Sequence, residues 1–304
     1  MKKTYHFLRQ SIWIILVELV FIALLSAVSF IYLFDSATDT LPLSHVIVIL
    51  LILLTLGAIG TAIFVCVKAE NVGVTRIKKT NKFILFAEAF TVIMMLAFFI
   101  YECLTSMVYA ESDSKALVLF RVTRWILSIP AFGYFLLQAF PKKIGHARIH
   151  IPTILSIITS LSLILWSILG IFTTYFASHL KNPNDVTKIS MMFIYVVISA
   201  FFIFEGEFRF VKTVHMPYMM SAFFTSIVTF AIPFGISIAK IVRAELAYDA
   251  LSQSELLTCV AIGIYALAKM FSLVSTMGFV IENSHGKNDG ERRKPKAEKV
   301  DAEQ

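Results

Sequence analysis

Eight apolar runs, over residues 11–33, 43–67, 83–107, 117–140, 153–176, 189–208, 218–241 and 256–281, dominate this 304-residue chain. Each approaches or exceeds the roughly 20 helical residues that cross a hydrocarbon core, and each is bounded by polar or charged residues. None alternates as the strands of an outer-membrane barrel do. The runs therefore predict an all-α polytopic integral membrane protein, a bundle of eight transmembrane helices. Composition agrees: 58% of residues are hydrophobic and 15% charged, against about 45–50% apolar in soluble domains, which excludes an ordinary soluble enzyme.

The spans place residues 1–281 in one transmembrane domain with short loops. The stretch 282–304, SHGKNDGERRKPKAEKVDAEQ with the preceding Glu282 and Asn283, mixes both charge signs with Gly and Pro and has little to bury. A disordered tail is expected there. The start, MKKTYHFLRQ, has the look of a signal peptide, but the apolar run behind it is too long for an h-region and lacks an A-x-A site, so it reads as an uncleaved first helix.

Lysines and arginines accumulate in cytoplasmic loops. Nineteen lie at the amino terminus, after spans 2, 4 and 6, and in the tail, whereas Lys115, Lys181, Lys188, Lys240 and Arg243 lie on the other side. Both termini are expected to be cytoplasmic, and the short loops suggest a plasma membrane. The net charge of +7 thus requires no nucleic acid; a basic cytoplasmic face would instead attract anionic lipid headgroups.

Six charges remain inside the spans: Glu18, Glu88, Glu102, Arg121, Arg124 and Lys269. A charge at the bilayer centre costs about 2.5–3.5 kcal/mol on the insertion scale, so such groups pair, snorkel or face a wet cavity. Glu102, Arg121 and Arg124 share one layer near the outer ends of spans 3 and 4, and the two arginines, three residues apart, share a helix face. Glu102 is expected to pair with one or both, either leaving a cation directed into the bundle or closing the pair with snorkelling to the interface. Lys269 lies deep in the last span, and its natural counter-ion is Glu18 or Glu88. That pair is expected to be the polar centre of a substrate or ion path, or else a structural link between helices.

At the inner edge of span 6, Glu205 and Arg209 are four apart in a favourable order, which predicts an interfacial pair. Glu205 and Glu207 are candidate residues of a cytoplasmic gate. Pro130 with Gly133, and Pro233 with Gly235, are the two places where proline and glycine interrupt a span. They read either as ordinary kinks or as broken helices of a transport site. An offset of 145 residues sets Arg124 over Lys269 and Gly133 over Gly278, which suggests two four-helix halves related by a parallel repeat.

Chemistry-bearing motifs are absent from the sequence. Cys66, Cys103 and Cys259 lie in spans without C-x-x-C spacing. His146 and His150 are four apart, but no third ligand lies near them. There is no H-E-x-x-H, G-x-S-x-G or Walker pattern. The paired glutamates followed by arginine of intramembrane CAAX-type proteases have the wrong spacing here, and eight spans disfavour a retinal protein despite the lysine in the last helix. No catalytic residue, metal or cofactor is expected. A transporter or permease-like bundle for a small solute, ion or lipid headgroup is the leading expectation; the alternative is a non-transporting membrane sensor, assembly or accessory subunit.

Overall fold

The computed structural model describes residues 2–34, 41–68, 82–109, 115–139, 143–144, 147–148, 153–179, 186–211, 216–243 and 253–292. Among them are nine α-helices: α1 (Lys2–Val28), α2 (Val46–Lys68), α3 (Lys82–Tyr109), α4 (Lys115–Ala139), α5 (Thr153–His179), α6 (Val186–Val211), α7 (Met216–Ala231), α8 (Pro233–Val242) and α9 (Gln253–Arg292). The strand β1 (Lys143–Ile144) pairs antiparallel with β2 (Ala147–Arg148) in the connection between α4 and α5. His146 and His150 lie outside the described residues.

Eight segments are long and apolar enough to cross a membrane, from Tyr5–Leu33 to Gln253–Thr276, with α7 and α8 sharing the seventh, Met216–Val242. The chain is an all-α, multi-pass membrane protein. Its outward faces carry the side chains this requires: Trp13, Phe21 and Leu24 on α1, and Leu53, Leu56 and Phe64 on α2 are all exposed. So large an apolar surface is stable only against lipid. The helix that opens with the eighth span continues to Arg292, past the point where the spans were expected to end.

Six helices close a ring in which each packs on the next: α3 on α4, α4 on α5, α5 on α6, α6 on α7, α7 on α9, and α9 back on α3. The helices α1, α2 and α8 pack on one side of it, against α7 and α9. The ring runs across the expected boundary between two four-helix halves, where α4 and α5 pack extensively. The last span is the hub, with 83% of its most apolar window buried against 22% for the second. Lys269 therefore sits on the helix with the least access to lipid.

Hydroxyls join the seams of the ring. Thr91 donates to the Ala261 carbonyl at 3.2 Å and Thr258 to the Met94 carbonyl at 3.1 Å, linking α3 and α9. Ser226 donates to the Gly263 carbonyl at 3.0 Å between α7 and α9, and Ser167 meets Ser199 at 2.8 Å between α5 and α6. Bonds of this kind average only about 0.6 kcal/mol in membranes. They set register, and the larger energies lie in the charged groups described below.

The two proline sites behave differently. Pro130 lies within a continuous α4, whereas Pro233 follows a break at Ile232, with φ −125° and ψ −67°, that separates α7 from α8. Proline lacks an N–H and its ring crowds the carbonyl four residues back; at the second site the chain yields because another helix end takes up the strain. Ser26 of α1 donates to the Ala231 carbonyl at 2.6 Å. There α1 opens into a π-helical turn, Ser29–Leu33, and Arg243 at the end of α8 donates to the Ile31 carbonyl at 3.0 Å. Each irregular segment thus supplies the other with hydrogen-bonding partners, as irregular backbone inside a membrane requires.

Gly235 makes this contact close enough. A Cβ there would stand 2.7 Å from the Phe30 ring and 2.9 Å from the Ser26 carbonyl oxygen. Gly235→Ala is expected to force α8 off α1 and to cost about 1–3 kcal/mol, the usual range for overpacking. Thermal unfolding in detergent checks this: a midpoint equal to that of wild type would show that the end of α1 moves freely.

Candidate functional site

Two buried polar levels lie inside the ring, both drawing on α3, α4, α6 and α9, with α5 joining them at the first. At the first, the Arg124 guanidinium of α4 pairs with Glu255 of α9, Nη1 to Oε1 at 2.8 Å. Nη2 donates to the Tyr195 hydroxyl of α6 at 2.6 Å and Nη1 to Thr173 of α5 at 3.3 Å. Tyr195 in turn donates to Glu255. The guanidinium carbon stands 5.0, 4.6 and 4.7 Å from the ring centres of Phe98, Trp166 and Tyr195. Desolvated cation–π contacts reach about 2 kcal/mol, so three rings and a carboxylate together hold a charge that lipid would reject. Gly170 brings α5 up to this level, with its Cβ position 2.7 Å from the Tyr195 ring.

At the second level the Lys269 ammonium of α9 is shared. It stands 3.3 Å from Glu205 of α6 and 3.9 Å from Glu88 of α3, and donates to the amide oxygen of Gln138 of α4 at 2.9 Å. The Tyr265 hydroxyl, four residues before Lys269 and on the same helix face, donates to Glu205 at 2.6 Å and accepts from Gln138 Nε2 at 3.0 Å. Glu88 and Glu205 are each 2% exposed and Lys269 is 8% exposed. The network is thus enclosed by protein inside the ring.

The two levels share a simple construction. Tyr195 and Glu205 on α6, and Glu255 and Tyr265 on α9, are each ten residues apart, about 15 Å at helical rise. The tyrosine of each helix meets the glutamate of the other, so α6 and α9 run parallel and in register. The helix α4 follows the same direction, placing Arg124 at the first level and Gln138 at the second. The helix α3 runs against them: Glu88 is at the second level, while Glu102 lies within electrostatic reach of Glu255, Arg124 and Arg121 at the first. Aromatic rings stand between the levels along α4 and α6. Phe135 meets Tyr265 edge-on at 5.0 Å and Phe202 at 6.0 Å, and Phe201 meets Tyr265 at 6.1 Å.

Comparison with known proteins gives no match to any protein-family model, curated protein or solved structure. The site has to be read from its own geometry.

Of the residues singled out from the sequence, Arg124 and Glu102 come to the first level and Lys269, Glu88 and Glu205 to the second. Arg121 is half-buried beside the first. Glu18 is elsewhere, accepting a hydrogen bond from Thr61 of α2 at 3.0 Å. Glu205 turns into the ring to Lys269; the Arg209 side chain, its expected partner, lies outside the described residues. Glu207, two positions on and so across the helix, is exposed. The offset of 145 residues also fails as a spatial equivalence: Arg124 and Lys269 occupy different levels, whereas a repeat about the membrane normal would put them at one depth.

Sequence reasoning missed Glu255, Tyr195, Tyr265, Gln138 and Thr173. Glu255 fell one residue outside the expected span, and tyrosine, glutamine and threonine carry no formal charge to draw attention in an apolar run. The matched ten-residue spacing of Tyr and Glu on α6 and α9 was the available signal. Among the described residues no group of three His, Cys, Asp or Glu side chains is arranged to hold a metal ion.

Proposed function

We propose that the protein is a permease-like carrier whose path runs along the axis of the six-helix ring, through the two polar levels. The observation that carries this reading is the shared ammonium of Lys269, where ionisable groups from α3, α6 and α9 converge in the most buried part of the bundle. Intramembrane ionisable groups are costly and mark substrate or ion pathways. Packing of the ring alone would be served as well by apolar side chains, which makes an elaborate charged centre an expense with little structural return. The aromatic rings between the levels stand where such a path would close, as a carrier that opens to one side at a time needs. In this reading the termini face the cytoplasm, anionic headgroups gather at that basic face, the membrane is the plasma membrane, and the exposed Glu207 stands at the cytoplasmic mouth as a gate residue.

The experiment is a screen of the purified full-length protein in liposomes on a solid-supported membrane, against amino acids, organic cations and small carboxylates. At least one class is expected to evoke a transient current that falls tenfold or more in Lys269→Met. A folded protein with no solute-evoked current and no solute-dependent change in tryptophan fluorescence would end the carrier reading.

One observation favours the other reading, a non-transporting sensor, assembly or accessory subunit. Arg124 is enclosed by its own partners, Glu255, Tyr195, Thr173 and three rings, as a structural clamp would be. A stable complex with another membrane protein, joined to silence in the screen, would be its signature.

A further inference from the structure

We propose that the Lys269 level binds one exchangeable small cation, a proton or an alkali ion, on the second carboxylate oxygen of Glu205. That oxygen, Oε2, is buried and accepts no hydrogen bond among the described residues. Its twin, Oε1, already receives the Tyr265 hydroxyl at 2.6 Å and faces Lys269 at 3.3 Å. A buried acceptor left bare is costly, and more so when charged, so the position gains from a donor or a cation.

The charge around it points the same way. The single positive charge of Lys269 is divided between the carboxylates of Glu205 and Glu88 and is directed also at the Gln138 amide oxygen, 2.9 Å away. The Arg124 level differs, because there the guanidinium meets Glu255 at 2.8 Å and is further screened by three rings. Carboxylate, amide and hydroxyl oxygens are the ligands hard cations take, and Glu205, Gln138 and Tyr265 bring one of each type to the Lys269 level, with Tyr265 on Oε1 of Glu205 and the Gln138 oxygen on Lys269.

The charged and titratable groups facing Glu205 are Glu88 from α3 and Tyr265 and Lys269 from α9; α4 contributes the neutral Gln138. On α7 the nearest is Tyr218, set behind the Phe201 ring that stacks on it at 6.2 Å. Glu18 of α1 is turned to Thr61. When the cation is a proton, it arrives from bulk water, forms an O–H bond on Oε2 and leaves Glu205 neutral, with Lys269 then paired to Glu88. When it is an alkali ion, no bond is made or broken and Glu205 stays ionised. As the coupling ion of a carrier this cation rests on the reading above, but its binding is measurable without any solute.

The test uses full-length protein in liposomes. In one arm, thermal unfolding is followed in LiCl, NaCl and KCl against choline chloride at equal ionic strength. In the other, infrared difference spectra between acidic and alkaline buffer are searched for the C=O stretch of a protonated carboxylic acid. An alkali ion is expected to raise the unfolding midpoint, or a carboxylic-acid band to appear, and Glu205→Gln to remove the response or weaken its half-point at least tenfold. Lys269→Gln removes the competing ammonium and is expected to move the response at least tenfold towards lower cation concentration, which keeps the proposal open to test where Glu205→Gln does not fold. Absence of both responses in wild type, or responses unchanged in Glu205→Gln, overturns it. Cation responses without solute currents would overturn the carrier alone; solute currents indifferent to alkali ions and pH, with neither response, would overturn the cation site alone.

Discussion

Glu255→Ala is expected to destabilise the protein by about 3–5 kcal/mol, the cost of stranding one member of a buried ion pair. Arg124 would keep its three rings and the Thr173 hydroxyl at 3.3 Å but lose the carboxylate at 2.8 Å. Tyr195 would lose the acceptor for its own hydroxyl at the same time. Thr173→Ala removes only a long interhelical hydrogen bond and should cost about 0.6 kcal/mol, the average for such bonds in a membrane. The difference decides between a level organised by charge and one organised by packing. Reversible unfolding in a bilayer, by SDS titration or steric trapping, gives both values. Removing the cation as well, in Arg124→Met with Glu255→Met, should recover most of the loss, since the two residues act as one unit. Equal small losses for Glu255→Ala and Thr173→Ala would mean that Glu102, within reach of Arg124, is the working counter-ion.

Lys269→Met is expected to have an effect of the same size, about 3–5 kcal/mol, for the opposite reason: it strands carboxylates. Glu205 and Glu88 would face one another with no ammonium between them, and Gln138 would lose its donor at 2.9 Å. Adding Glu205→Gln to Lys269→Met should restore a large part of the stability, because one of the two stranded charges is then gone. A Lys269→Met protein as stable as wild type would show that the ammonium is not what holds the level together. The same unfolding measurement serves, and the folded fraction sets the scale for any loss of solute current.

The eight spans were legible because the physics behind them is one-dimensional. A helix in lipid satisfies its own backbone and needs only length and apolarity, so the runs at 43–67 and 153–176 correspond closely to the structural spans Val46–Lys68 and Ile154–Phe176. The buried cations were legible too, because charge is rare in such runs. Their partners were harder to see. Glu102 was matched to Arg121 and Arg124 from a shared depth on adjacent helices and lies within electrostatic reach of both, but the sequence did not show that Glu255, 131 residues away, meets Arg124 at 2.8 Å. Lys269 was matched to Glu18 or Glu88; Glu88 is there, Glu18 is not, and Glu205 is closer than either. Depth can be counted along a helix, but rotation about its axis and the order of helices around a ring cannot.

Proline shows the same limit. Pro130 and Pro233 look alike in sequence, each with a glycine two or three residues on, yet α4 continues through the first while the seventh span breaks at the second. The difference lies in the surroundings of Pro233, where Ser26, the π-helical turn of α1 and Arg243 satisfy the irregular backbone.

Sequence alone thus determined that this chain is a bundle of membrane-spanning helices and that Arg124 and Lys269 must be accommodated inside it, since the cost of leaving lipid-facing backbone or charge unsatisfied is independent of what lies nearby. Tertiary structure alone decided who accommodates them. Closure of six helices into a ring put Tyr195 against Glu255 and Tyr265 against Glu205, because a side chain's partner inside a bilayer is set by helix rotation and register, which follow from packing between segments distant in the chain.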